Sequence, residues 1–281
     1  MGNVGYTRLR YLSHRMEYGG FMRSRSGFLA IAASLIMAAS ATGRGEAACN
    51  LRTGIEPYGV YMFIGADGKA AGVDVDLVQA IADELGCVAS FPKMPWARAL
   101  LELEHGRLDV GTSASRTPER ERFAHFSAPY RQAQMGIYVR KGETGRYALD
   151  GLSGITDAGL RLGIMRGFYY GPEFEALMVD PAFARLVNTA VDYEMNIRKL
   201  LRGRIDGFLV DDIGVMVGAL AAYGAEDQVE QHPVFLAGDE FHLILSRKSV
   251  SDSLVAEVNE VLARMEADGR LRHIMDKYIK K

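Results

Sequence analysis

The stretch from Trp96 to Tyr130, WARALLELEHGRLDVGTSASRTPERERFAHFSAPY, constrains the fold most, because within it the chain changes from helix to strand to polar loop. Pro95 suits a first helical turn, Leu100 and Leu103 fall on one helical face, and Gly106 suits the left-handed residue that ends a helix. Leu108-Asp109-Val110 follows as a short strand. Gly111-Thr112-Ser113-Ala114-Ser115 then supplies small residues, hydroxyls and approachable backbone amides, with Thr117 and Arg120 close behind. The unit has an echo: Ile197 to Gly207 repeats the pattern of Leu101 to Gly111, sharing Gly-Arg-x-Asp, and its strand leads to Asp211 and Asp212. Open α/β sheets bind ligands at the carboxyl ends of their strands, so two such units predict an α/β fold in which two lobes face one pocket.

A guanidinium beside hydroxyls grips a carboxylate through two parallel charge-assisted hydrogen bonds, the chemistry that Arg120 offers near Ser113, Ser115 and Thr117. The spacing Ser-x-Ser-x-Thr-x-x-Arg, followed by Phe126-Ser127-x-Pro129-Tyr130, resembles the signature of the periplasmic solute-binding proteins of polar amino-acid ABC transporters, the family 3 extracellular binding proteins. Glu56-Pro57-Tyr58-Gly59 and Gly72-Val73-Asp74-Val75-Asp76-Leu77 are similar to that family's Pro-Tyr loop and Gly-x-Asp-Val-Asp-Leu motif. The resemblance implies a periplasmic binding protein-like fold, two α/β lobes joined by a two-segment hinge. It further implies that Arg120 holds the ligand's carboxylate, that Ser113 and Ser115 line the same site, and that Asp211 takes the α-ammonium. Helix N-capping is the alternative role for Asp211. Tyr58 matches the loop aromatic that packs on the ligand, with Tyr61 as the alternative because the segment before Asp67-Gly68 is long. Asp74, Asp76 and Asp206 match structural positions. Trp96, the only tryptophan, serves either as a pocket wall or as core packing, and Arg98 reads as a surface residue.

Near the N-terminus Arg23 and Arg25 precede an apolar run from Phe28 to Ala39, too short for a comfortable membrane span. It reads as a signal peptide over residues 1–47, with Gly45 and Ala47 as the small residues before the cut and Met22 as a more conventional start than Met1. Removing it takes away six arginines and two acids, so the formal charge moves from −2 to −6. An acidic mature chain with no basic run argues against nucleic acid as partner. The expected location is the periplasm. In that oxidising compartment the two cysteines, Cys49 and Cys87, are a disulfide candidate, against two separately buried thiols.

The rest of the chain supplies further α/β units. Asp74 and Asp76 sit in the first turn of a helix that buries Leu77, Val78 and Ile81 and stops at Gly86. Strands are expected at Met135–Val139 and Leu160–Met165, and Arg166 to Gly171 turns into a helix over Pro172–Val179 whose free N–H groups suit an anion. There the family usually has small residues where this chain has Phe168, Tyr169 and Tyr170, which places Tyr169 on the pocket and reshapes it. Two strands near Val234–Leu236 and Phe241–Leu245 precede a long amphipathic helix from Leu254 to Met265, a stop at Gly269 and a last helix. Lobe 1 is expected over residues 48–134 and 237–281 and lobe 2 over 135–236, with crossings near Tyr130–Gln134 and Ala237–Glu240.

Six scattered histidines show no metal-ligand spacing, and no G-x-S-x-G, P-loop or H-E-x-x-H motif occurs, so no catalytic residue, metal or cofactor is expected. The expected function is capture of a small carboxylate-bearing, amino acid-like solute by a monomer that delivers it to an inner-membrane ABC transporter permease. Two alternatives remain: a periplasmic dehydratase on the same fold, with Glu173 as its first candidate acid, and a ligand-sensing protein for a membrane receptor.

Overall fold

The computed structural model describes residues 49–216 and 218–279, so the signal-peptide reading of residues 1–47 lies outside the described residues. The first elements are β1 (Asn50–Arg52), the hairpin of β2 (Phe63–Ile64) and β3 (Ala70–Ala71), α1 (Val73–Leu85), β4 (Val88–Ser90), α2 (Trp96–Glu104), β5 (Val110–Ala114), α3 (Pro118–Glu121) and β6 (Ala124–Arg140). Gly72 at φ 124° and Gly86 at φ 65° bracket α1, as only glycine does without strain. Its face of Leu77, Val78 and Ile81 is buried, each side chain contributing roughly 1.5 to 3 kcal/mol. They pack with Leu51, Val110, Leu243 and the Val258, Val261, Leu262 and Met265 stripe of a C-terminal helix.

The middle of the chain gives α4 (Gly154–Asp157), β7 (Leu162–Met165), α5 (Gly171–Met178), α6 (Pro181–Ala184), β8 (Val187–Ala190), α7 (Tyr193–Leu201), β9 (Gly207–Val210), α8 (Ala219–Ala222) and β10 (Val229–Gln231). A second core forms there from Ile137, Leu152, Ile155, Leu162, Phe174, Phe183 and Leu209. The chain closes with β11 (Leu236–Ser246), α9 (Asp252–Ala267) and α10 (Arg270–Tyr278). The strand order β5-β11-β6-β9-β7-β8, with β10 also on β6, makes β6 and β11 the strands that join the two lobes. Along its first part β6 pairs antiparallel with β11, and from Gly136 to Val139 it pairs with β9.

Three expectations need correcting. Pro95 caps α2 from outside, at φ −63° and ψ 148°, instead of standing in its first turn. The hydroxyl-rich segment after Val110 is not a loop: β5 continues through Ala114 because β11 supplies an antiparallel partner, pairing His242 with Ala114. The strand expected around Met135 is part of one long strand, β6, and the two expected near Val234 and Phe241 reduce to one, β11, which starts only at Leu236, so Val234 and Phe235 lie outside it. Gly238 lets these two lie against each other, since a Cβ there would meet the Ala133 carbonyl at 2.7 Å.

The shared Gly-Arg-x-Asp is a structural device used twice. Asp109 accepts from the Arg52 backbone N–H at 2.9 Å and from its Nε and Nη2 at 2.7 and 2.8 Å. Asp206 accepts from the Arg161 N–H at 3.1 Å and from its Nε and Nη2 at 2.7 Å each. Each aspartate, the residue just ahead of a strand, thus clamps the chain that runs parallel to that strand. Burial would raise the Asp206 carboxyl, but the Arg161 hydrogen bonds outweigh it and hold the group at about 2.

Cys49 and Cys87 are bridged, with Cα atoms 4.7 Å apart, tying the start of β1 to the residue before β4. For a sequence separation of 38, chain entropy gives about 4 kcal/mol of stabilisation. A Cys49→Ser, Cys87→Ser double variant should therefore melt about 8 to 16 °C lower than the parent in scanning calorimetry. A change of under about 2 °C would remove the stabilising role.

Candidate functional site

The carboxyl ends of β5 and β9, the loop before α2 and the turn after β7 converge on a cavity between the lobes. Its walls are Glu56, Tyr58, Met62, Trp96, Thr112, Ser113, Ser115, Arg120, Phe168, Tyr169 and Asp211. All seven residues singled out from the sequence, Tyr58, Trp96, Ser113, Ser115, Arg120, Tyr169 and Asp211, stand on that wall. The accessible space in it is about 20 Å³, room for a single water, so a larger solute needs the lobes apart. A second chamber of about 20 Å³ shares Ser115, Tyr169 and Asp211 and reaches Asp239 and Phe241.

Arg120 is set by α3, whose N-cap Thr117 accepts from the Arg120 N–H at 3.3 Å. The buried guanidinium donates from Nη1 to the Ser115 carbonyl at 2.8 Å and from Nη2, across the cleft, to the Gly167 carbonyl at 3.0 Å. It lies 5.6 Å from the centre of the Trp96 ring. Burial lowers its pKa to about 10, which still leaves it charged at neutral pH, with only neutral carbonyls as hydrogen-bond partners. A carboxylate is the partner that such a group lacks.

Asp211 follows β9 and is buried, accepting the Tyr58 hydroxyl at 2.7 Å and the Tyr193 hydroxyl at 2.8 Å. Burial pushes it up to about 6 against those two hydrogen bonds. Tyr58 comes from the other lobe, and its ring also stands 5.9 Å from that of Phe168. The loop aromatic on the cavity is therefore Tyr58. Tyr61 lies off the wall, its ring over Arg131 at 3.7 Å. Ser113 is on the wall, yet its hydroxyl donates to Asp74 at 2.5 Å and accepts from Arg131 at 2.7 Å, so it is engaged within the protein. The turn after β7 presents the Gly167 carbonyl to Arg120. Glu173 is exposed on α5 and is not on the cavity wall.

Four wall residues were not singled out from the sequence, Glu56, Met62, Thr112 and Phe168, and Glu56 is the ionisable one among them. Its Oε2 accepts the Trp96 N–H at 3.0 Å. Burial lifts its pKa to about 7, the Trp96 N–H opposing the rise and the charge of Asp211 adding to it. Its only local signal was an acid between Ile55 and Pro57, in the loop that also carries Tyr58.

Two α/β lobes around a cleft with a guanidinium held only by carbonyls on one side and a buried carboxylate on the other define a solute-binding protein of the two-lobed type. The model of the bacterial extracellular solute-binding proteins of family 3 matches residues 51–281, and the chain belongs to that family. It is 29% identical over 236 residues to the L-cystine-binding protein TcyJ of Escherichia coli, covering 81% of this chain and 82% of that one. With the L-arginine-binding protein of Pseudomonas aeruginosa it shares 24% identity over 233 residues, 81% of this chain and 87% of that protein. Among solved structures, an ancestral arginine-binding protein bound to arginine superimposes with a TM-score of 0.69 at 23% identity, covering 82% of this chain and 98% of that one.

Glu56 and Asp211 hold their protons more tightly than ordinary carboxyls, at about 7 and 6 against 4.5 and 3.8. The folded state then binds more protons than the unfolded state between those values, so the stability of ligand-free protein falls as pH rises through the window. Glu56 alone accounts for at most about 3 kcal/mol, less what its partial exposure screens. The melting temperature should drop by several degrees from pH 5 to pH 7.5, and Glu56→Gln should flatten that slope. A melting temperature that rises over the same range in the parent would contradict the assignment.

Proposed function

We propose that this protein captures an amino acid bearing a second positive group and passes it to an ABC transporter permease. The observation that carries the reading is the charge set on one cavity wall, a guanidinium from Arg120 with two carboxylates from Asp211 and Glu56. Arg120 holds the α-carboxylate, Asp211 the α-ammonium, and Glu56 a cationic or donor-rich side-chain end between Trp96 and Tyr58. A ligand of net charge +1 neutralises the wall, and so removes the cost of leaving an acid unpaired in a closed cleft. The names of the relatives support an amino acid as ligand.

The protein acts by binding, in the periplasm, as a monomer and without a cofactor. Lobe 1 comprises residues 48–134 and 237–281, lobe 2 residues 135–236, and closure about β6 and β11 traps the solute as in other periplasmic binding proteins. The permease and its ATPase supply the energy for transport.

Mass spectrometry of the material that copurifies with the protein identifies the solute, and calorimetry with L-arginine tests the charge assignment. Arg120→Ala and Asp211→Ala should each weaken binding by about thirty-fold to several-thousand-fold, because each leaves a buried charge without its partner. Exposed Arg122→Ala should change it by under about fivefold. Glu56→Gln should cost L-arginine about tenfold or more and leave L-glutamine within about threefold. Equal losses for both amino acids would remove Glu56 from the specificity role.

A further inference from the structure

Arg131 lies on β6, where the lobes meet, and its side chain is only 5% exposed. A charged residue on a joining strand has no need of burial unless it is held there. Its guanidinium is sandwiched between the Tyr61 ring at 3.7 Å and the Phe241 ring at 4.4 Å. Nη1 pairs with Asp212 and Nη2 donates to the Ser113 hydroxyl at 2.7 Å. Ser113 hands the connection on to Asp74, which also accepts the Tyr130 hydroxyl at 2.9 Å. The chain Asp74, Ser113, Arg131, Asp212 therefore runs from lobe 1 to lobe 2 through one guanidinium.

The same contact orders the ligand wall on both sides. Ser113 is the one described non-glycine residue at positive φ, 51°, a conformation that the surrounding hydrogen bonds must maintain. Asp212 adjoins Asp211, and its Oδ1 accepts the Gly214 N–H at 2.9 Å. That turn is pressed onto lobe 1: a Cβ at Gly214 would sit 2.3 Å from the Tyr61 hydroxyl oxygen. Withdrawing Arg131 leaves Asp74 and Asp212 as buried acids, 1% and 4% exposed, with no opposite charge between them.

We infer that Arg131 is a positioning residue for solute capture: it draws Asp212 onto Ser113 and Asp74, and so sets Asp211 opposite Tyr58 and favours the closed cleft before any solute spans it. The inference rests on the reading of Arg120 and Asp211 as the ligand groups, but its test does not require that reading. Glu119 and Glu175 are exposed, one on each lobe, and both line the groove outside the cavity.

Spin labels at Glu119→Cys and Glu175→Cys, with the native disulfide intact, report the lobe separation by double electron–electron resonance in ligand-free protein. A major short-distance population is expected with Arg131 present. Arg131→Met should lower the closed-to-open ratio by about tenfold or more, and Arg131→Lys should recover part of it. Melting temperatures recorded on the same samples separate this from a loss of fold. Should Arg131→Met not fold, Asp212→Asn removes the cross-lobe charge in a nearly unchanged shape, with the same shift expected. A variant that folds and keeps the parental distance distribution overturns the inference. Addition of L-arginine reads the other question: no response to it in the parent counts against the proposed ligand and leaves the distance comparison standing.

Discussion

The pairing of β6 with β11 is the constraint on which the rest of the molecule depends. Both passages of the chain between the lobes run in these two strands, side by side and hydrogen-bonded from Ser246 with Ala124 to Leu236 with Met135. Side-by-side passages leave rotation about one axis as the easy motion, so the two walls can separate and return without losing register. The ladder shifts register between Ala237 and Glu240 and twice more between Phe241 and Ile244, and such irregularities bend and twist a strand pair. Gly238 makes that approach possible.

Much of that plan was legible locally. The helices α1, α2, α7 and α9 announced themselves by apolar spacing, and their ends by Gly86, Gly106, Gly203 and Gly269, all at positive φ. The repeat around Gly-Arg-x-Asp was legible as well, though its meaning was not. Asp109 and Asp206 act through arginines 57 and 45 residues earlier, and no local pattern marks such partners. Strand length was the weakest part of the reading. The small hydroxyl residues of β5 look like a loop until a neighbouring strand supplies their hydrogen bonds, and Pro129, Gly136 and Gly238 look like breaks in what are continuous strands. Tertiary pairing overrode local propensity at each of these places.

The wall divides in the same way. Arg120 and Asp211 follow the two strand ends that the repeat points to, and Tyr58 sits in a recognisable loop. Glu56 on the wall and Tyr193 behind Asp211 have no such mark, because their place depends on Trp96 and Asp211, which are 40 and 18 residues away in sequence. Arg131 was invisible for a different reason. Nothing in the residues around Arg131 marks it, and only the approach of Tyr61, Phe241 and Asp212 from three other segments makes it an interior cation.

Ionised groups in so small a space are a poor way to make a stable protein, since a buried charge pair seldom stabilises more than a well-packed apolar substitute of the same shape. Here the acids Asp74, Asp211 and Asp212 and the bases Arg120 and Arg131 are all buried, Asp211 and Arg120 on the cavity wall and the others behind it. Their arrangement is not symmetric. Arg131 has a carboxylate and a hydroxyl to bind, whereas Arg120 has only carbonyls and Asp211 only tyrosine hydroxyls. The first set is complete within the protein and serves position; the second has the charge of each group still unanswered. Stability is thus withheld where a solute can supply it, so that closure is strongest when the solute's own charges complete the wall. Neutral hydroxyls and carbonyls are suitable temporary partners for this purpose. They satisfy the hydrogen bonds of Arg120 and Asp211 in the closed cleft, yet yield to a carboxylate or an ammonium, whose charge-assisted bonds are roughly twice as strong.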